Sequence, residues 1–193
     1  MVSFPELAVT GYPPEDLLLK DAFIADNLEA LKRIAKSVND IVAIVGFVDK
    51  KEGSLYNAAA IIYKAEVKGI CYKELLPNYG VFDEHGYFKP GKDSLVFRLG
   101  DLVFGVNVCE DIWHTEGPLC SQAALGAKLI ININSSPYHA GKVKEREDIV
   151  RRQAKENNVV VSYANLVGGQ DELVFDGQSM VVDNTGKVLV RAE

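Results

Sequence analysis

The sequence predicts an α/β domain: a mixed β-sheet with helices covering its faces. Two observations carry that expectation. In the second half, helical stretches alternate with short apolar runs such as "KLIININ" and "VVVSYAN", which are long enough for fully buried strands. Between them lie runs joined by tight-turn residues, which read as hairpins and make the sheet mixed rather than all parallel.

Taken in order, "MVSFPEL" reads as the tail of a strand. Asp21 to Lys36 places Phe23, Ile24, Leu28, Leu31, Ile34 and Ala35 at helical spacing. "DIVAIVGFV" is a β-branched strand, and "SLYNAAAIIYKAEVKGICYKE" is two strands around "KAE". "LVFRLGDLVFGVNV" is two more, turning at Gly100-Asp101. Pro118 to Ala127 is a short helix opened by proline. Gly141 to Asn157 is a charged amphipathic helix, and "GQSMVVDNTGKVLV" is a hairpin turning at Asn184-Thr185-Gly186. There is no internal repeat or linker. "MVSFPEL" has no turn or cap before it and "GKVLVRAE" stops just after a strand, so a piece of a longer chain is expected.

Composition narrows the function. With 193 residues and 48% apolar content, the chain has material for one substantial core. The net charge of −6 argues against nucleic acid or anionic membrane as a partner. No window approaches the roughly 18 uninterrupted apolar residues of a membrane span, and no signal peptide is visible. Three cysteines without framework spacing fit reduced thiols and a cytoplasmic location.

Three predicted strand ends carry chemistry: Glu6 in "FPEL", Lys73 in "KELLP" and Cys109 in "GVNVCEDIW". Singly each is ordinary: a solvated loop acid, a solvated lysine, a small buried thiol. Together they form a nucleophile, a base and a cation. Two acids follow Cys109 at once and should raise its pKa, so a positive partner from another strand is expected. Lys73 would favour the thiolate and stabilise an oxyanion, with backbone N–H groups after Cys109 completing the hole. Glu6 would take the thiol proton if apolar surroundings raised its pKa.

These residues, in this order and context, resemble the nitrilase (carbon–nitrogen hydrolase) superfamily over nearly the whole chain. "FPELAVTGYPPEDLL", "LPNYGVFDE", "NSSPYHAGK" and "GGQDELVFDG" narrow the resemblance to the glutaminase domains of glutamine-dependent NAD+ synthetases. The resemblance implies a nitrilase-like α-β-β-α sandwich lacking its first and last elements. It makes Glu6 the general base, Lys73 the stabiliser of the tetrahedral intermediate and Cys109 the nucleophile towards the glutamine side-chain amide. It places Tyr79, Glu84, Trp113 and Ser136 at the bound glutamine, with Glu84 facing the α-ammonium. It implies no cofactor in this domain; ATP, Mg2+ and deamido-NAD belong to a synthetase domain, absent here, to which ammonia is channelled. A homo-oligomer is expected as well. The rival expectations are a free-standing amidase or nitrilase for another small amide, and an inactive fragment.

Other features are read as structural. His85, His114 and His139 have no metal-site spacing. Cys71 and Cys120 are expected as core or partly buried thiols. The two glycines of "VGGQDELVFDG" are followed by acids that would repel phosphate, so the stretch reads as a structural or interface loop at the ammonia tunnel mouth or, on spacing alone, as a tight turn between strands. The charges of "GKVKEREDIVRRQAKENN" form a solvated helix face, with Arg146 the one that anchors the loop holding Ser136.

Overall fold

The computed structural model describes residues 1–192. Strands β1 (Val2–Ser3), β2 (Ala43–Lys51), β3 (Ser54–Tyr63) and β4 (Glu66–Tyr72) form one sheet in the order β1-β2-β3-β4. Strand β1 runs parallel to β2, and the other neighbours are antiparallel. Strands β5 (Val96–Leu99), β6 (Leu102–Val108), β7 (Leu129–Asn134), β8 (Val160–Asn165), β11 (Met180–Val182) and β12 (Val188–Arg191) form the second sheet, in the order β12-β11-β8-β7-β6-β5. Its middle strands β6, β7 and β8 are parallel and its flanks antiparallel, as the alternating helices and hairpins predict. Strands β9 (Val167–Gln170) and β10 (Leu173–Asp176) pair, among the described residues, with each other, so "VGGQDELVFD" is not a bare turn between strands but a two-stranded hairpin turning at Asp171-Glu172.

Alternation along the strands builds the layers. Ile44, Ala59, Ile61 and Cys71 of the first sheet pack on Phe104, Val106, Val108, Ile131 and Ile133 of the second. The opposite faces meet helices. Helix α1 (Asp21–Ser37) lays Leu31 and Ala35 on Ala43, Val45, Phe47 and Ala60. Helices α2 (Pro118–Ala124) and α3 (Lys142–Glu156) lay Leu119, Val150 and Ala154 on Ile130, Val161 and Met180. The architecture is the expected α-β-β-α sandwich.

The turns follow residue chemistry. Lys64 and Ala65 both have positive φ, 52° and 61°, closing the β3–β4 hairpin. Gly186 at φ 83° closes the β11–β12 hairpin. Two sequence expectations need correction. Helix α2 ends at Ala124, short of the expected Ala127. Cys120 is exposed, because the short helix turns Pro118, Leu119 and Gln122 inward; Cys71 is buried, as expected. Arg146, expected to anchor the Ser136 loop, is turned inward from the charged face of α3 and is 1% exposed.

Candidate active site

All three chemical residues follow strands that end at one edge of the sandwich: Glu6 after β1, Lys73 after β4, Cys109 after β6. The chain leaving β1 crosses directly over β2. A Cβ on Gly46 would lie 2.2 Å from the Pro5 carbonyl oxygen and 2.5 Å from the Leu7 nitrogen. Only glycine lets the Glu6 segment run this close to the inner face.

Glu6 is 1% exposed, and its carboxyl accepts three hydrogen bonds. Oε1 takes Asn57 Nδ2 at 2.7 Å and Lys73 Nζ at 2.8 Å; Oε2 takes the Ser135 backbone N–H at 2.9 Å. Lys73, also 1% exposed, donates at 2.7 Å to Glu84 Oε1, which further accepts Tyr12 Oη at 3.0 Å. Burial works against the Lys73 ammonium, but Glu6 and Glu84 outweigh it and hold its pKa well above the ordinary lysine value. Burial raises the pKa of Glu84, against the pull of Lys73.

Cys109 opens a short 3-10 turn, Cys109–Ile112, in the left-handed region at φ 46°. Such a conformation costs a non-glycine residue about 1–3 kcal/mol and is over-represented at reactive positions. Burial, then the charge of Glu6, push the thiol pKa well above the ordinary value; Lys73 pulls down and does not prevail. The expected positive partner is therefore present, yet the resting sulfur is a thiol, which makes a proton acceptor necessary.

A cavity of about 240 Å³ opens at Cys109, lined also by Tyr79, Glu110, Trp113, Ser136, His139 and Lys142. Three of the four residues expected around the substrate, Tyr79, Trp113 and Ser136, are thus gathered at the nucleophile. The fourth is placed differently. Glu84 is taken up by Lys73 and Tyr12 and borders a neighbouring cavity of about 180 Å³ beyond Val81 and Phe82. The carboxylate at the Cys109 cavity is Glu110, 8% exposed and fixed by Tyr79 Oη at 2.9 Å. Lys142 stands with its Nζ 3.9 Å from the Trp113 ring centroid and 3.0 Å from Glu145. Arg146 donates to Ser136 Oγ at 3.1 Å, to the Ser136 and Pro137 carbonyls at 3.0 Å, and to Asp176 at 2.7 Å, which holds the Ser136 loop as expected.

Sequence reasoning missed Tyr12, Asn57, Glu110, Ser135 and Lys142. Their partners lie far along the chain, so no local spacing marks them: Tyr12 meets Glu84, Asn57 and Ser135 meet Glu6, Glu110 meets Tyr79 and Lys142 meets Trp113. Among the described residues no group of three or more His, Cys, Asp or Glu is placed to hold a metal ion, and no helix is long and apolar enough to cross a membrane.

A family profile, Carbon-nitrogen hydrolase, matches residues 1–193. The chain belongs to the carbon–nitrogen hydrolase family. It is 46% identical to the glutamine-dependent NAD(+) synthetase of Thermotoga maritima over 98% of its own length and 33% of that protein's. It superposes on the glutamine-dependent NAD+ synthetase of Acinetobacter baumannii with a TM-score of 0.94 and 40% identity, covering 99% of this chain and 36% of that one. An amidase from Nesterenkonia sp. AN1, with the acetamide moiety of fluoroacetamide added covalently at its active-site cysteine, matches at a TM-score of 0.85 and 25% identity, over 99% of this chain and 72% of that one. The chain spans about a third of the length of the synthetases it matches.

Proposed function

We propose that this chain hydrolyses the side-chain amide of glutamine to glutamate and ammonia through a thioester on Cys109. The observation that carries the reading is the buried Lys73 ammonium, bracketed by two carboxylates and acting on a thiol at the floor of a cavity. Glu6 accepts the thiol proton as Sγ attacks the amide carbon. The oxyanion forms against Lys73 and the backbone N–H groups after Cys109. Glu6 returns the proton to the amine, the C–N bond breaks and ammonia leaves. Water then attacks the thioester; Glu6 takes its proton and passes it to the departing sulfur, restoring the thiol. Two lower barriers replace one high one.

The cavity suits an amino acid rather than a simple amide. Glu110 offers an anion to the α-ammonium, Lys142 a cation to the α-carboxylate, and Ser136 and Tyr79 hydroxyl groups between them. Glu84 serves as the second anion on Lys73, not as the ammonium partner.

In the full protein the ammonia feeds an ATP-dependent amidation of deamido-NAD to NAD+, as the names of the synthetase relatives suggest. ATP, Mg2+ and deamido-NAD belong to that second activity. The Gly168-Gly169 stretch does not suit a phosphate group: it lies in a β-hairpin and Asp171 and Glu172 follow it. No step at Cys109 runs through these groups. A cytoplasmic homo-oligomer completes the reading.

In the full-length protein, Cys109→Ala abolishes glutamine-supported NAD+ formation and leaves ammonia-supported formation intact. Persisting glutamine use would refute the assignment. Ammonia release from acetamide outpacing release from glutamine would favour the free-standing amidase.

A further inference from the structure

Asp111 takes no part in the chemistry just described, yet it is completely buried, two residues after the nucleophile. Its Oδ1 accepts the backbone N–H groups of Glu74 at 3.0 Å and Leu75 at 2.9 Å, the two residues that follow Lys73. Its Oδ2 accepts the N–H of Val108 at 3.0 Å, the residue before Cys109. Strands β4 and β6 belong to different sheets, so no ladder joins them. One side chain thus spans the interlayer gap where the two chemical residues emerge.

We infer that Asp111 is a positioning residue whose carboxyl clips the end of β4 to the turn after β6 and so fixes the spacing of Lys73 Nζ and Cys109 Sγ. The inference rests on the reading that these two groups act together. Apolar contact between two sheets carries no direction, whereas three hydrogen bonds converging on one carboxyl constrain angle as well as distance. The arrangement is held against a cost. Burial pushes the carboxyl up to about 7, despite the three N–H donors and Lys73 pulling it down. A purely structural plug of that volume would be cheaper as an apolar residue.

The test uses the full-length protein with Asp111→Asn, Asp111→Ala and Val182→Ala, the last buried in the second sheet's outer core. Melting temperature, kcat and KM for glutamine, and the rate of Cys109 alkylation by iodoacetamide are measured. Asn retains one acceptor oxygen and sets an NH2 against one N–H donor, so it folds but loosens the clip. It is expected to lower kcat by roughly 10- to 100-fold with KM little changed, the scale of a small misplacement. Alkylation should slow in parallel, and Ala should be worse than Asn. Val182→Ala should lower the melting temperature without touching either rate. Wild-type kcat and alkylation in Asp111→Asn would overturn the inference. So would a loss in Val182→Ala matching that of Asp111→Asn at equal destabilisation. If the wild type releases no ammonia from glutamine, the substrate reading fails, while the alkylation ratio still decides the role of Asp111.

Discussion

At the scale of single residues, the site turns on where protons rest. The buried Lys73 ammonium donates one hydrogen bond to Glu6 and one to Glu84. A thiol beside them faces more negative than positive charge and little water, so its acidity falls. The sign gives a pH prediction. With the thiol pKa raised well above the ordinary 9.0, the thiolate fraction is small at neutrality and grows throughout the alkaline range. The rate of Cys109 alkylation by iodoacetamide should still be climbing at about pH 9. A plateau below pH 8 would mean a resting thiolate–lysinium pair and would remove the need for Glu6. The place of the site was partly legible in the sequence. Cys109, Lys73 and Glu6 stand at strand ends in a recognisable context. Which acid borders the Cys109 cavity was not, because Glu84 and Glu110 are both loop acids in the sequence. Only their neighbours, Tyr12 and Lys73 for one and Tyr79 for the other, separate them.

At the scale of elements, the segment after β1 depends on β2. Gly46 faces inward, and the Val9 N–H bonds the Gly46 carbonyl at 3.1 Å just beyond the crossing. Gly46→Ala must push the Pro5–Leu7 backbone away, since its Cβ would meet backbone atoms that have no rotamer to yield. The expected outcome is a folded protein with ammonia release from glutamine reduced at least tenfold, on the scale of about 1 Å of base displacement. Full activity in Gly46→Ala would show that the Glu6 placement is not tied to β2. Most elements were readable because each is written locally: β-branched runs for β2, β7 and β8, helical spacing for α1, turn residues at the hairpins. Gly46 and Asp111 were not, because their constraint comes from chain many residues away. "VGFV" reads as a plain strand until the segment that crosses it is known. The mixed helix α3 shows the same limit. Its charge pattern describes the outer face, while Arg146 is turned inward by the Ser136 carbonyl and Asp176.

At the scale of the whole molecule, the two sheets meet through an apolar interior that brings the ends of β1, β4 and β6 together at one edge. Neither sheet holds the full set: Glu6 and Lys73 leave the first, Cys109 the second. Reactivity is thus a property of the assembled sandwich, which on the proposed mechanism makes Cys109 carry the acyl group. The most direct measurement is rapid-quench mass spectrometry of the full-length protein mixed with glutamine, with peptide mapping of the adduct. One glutamyl thioester is expected on the peptide bearing Cys109, formed with the burst of ammonia and absent in Cys109→Ala. Ammonia release without any Cys109 adduct in wild type, or an acyl group on Cys71 or Cys120 instead, would contradict it.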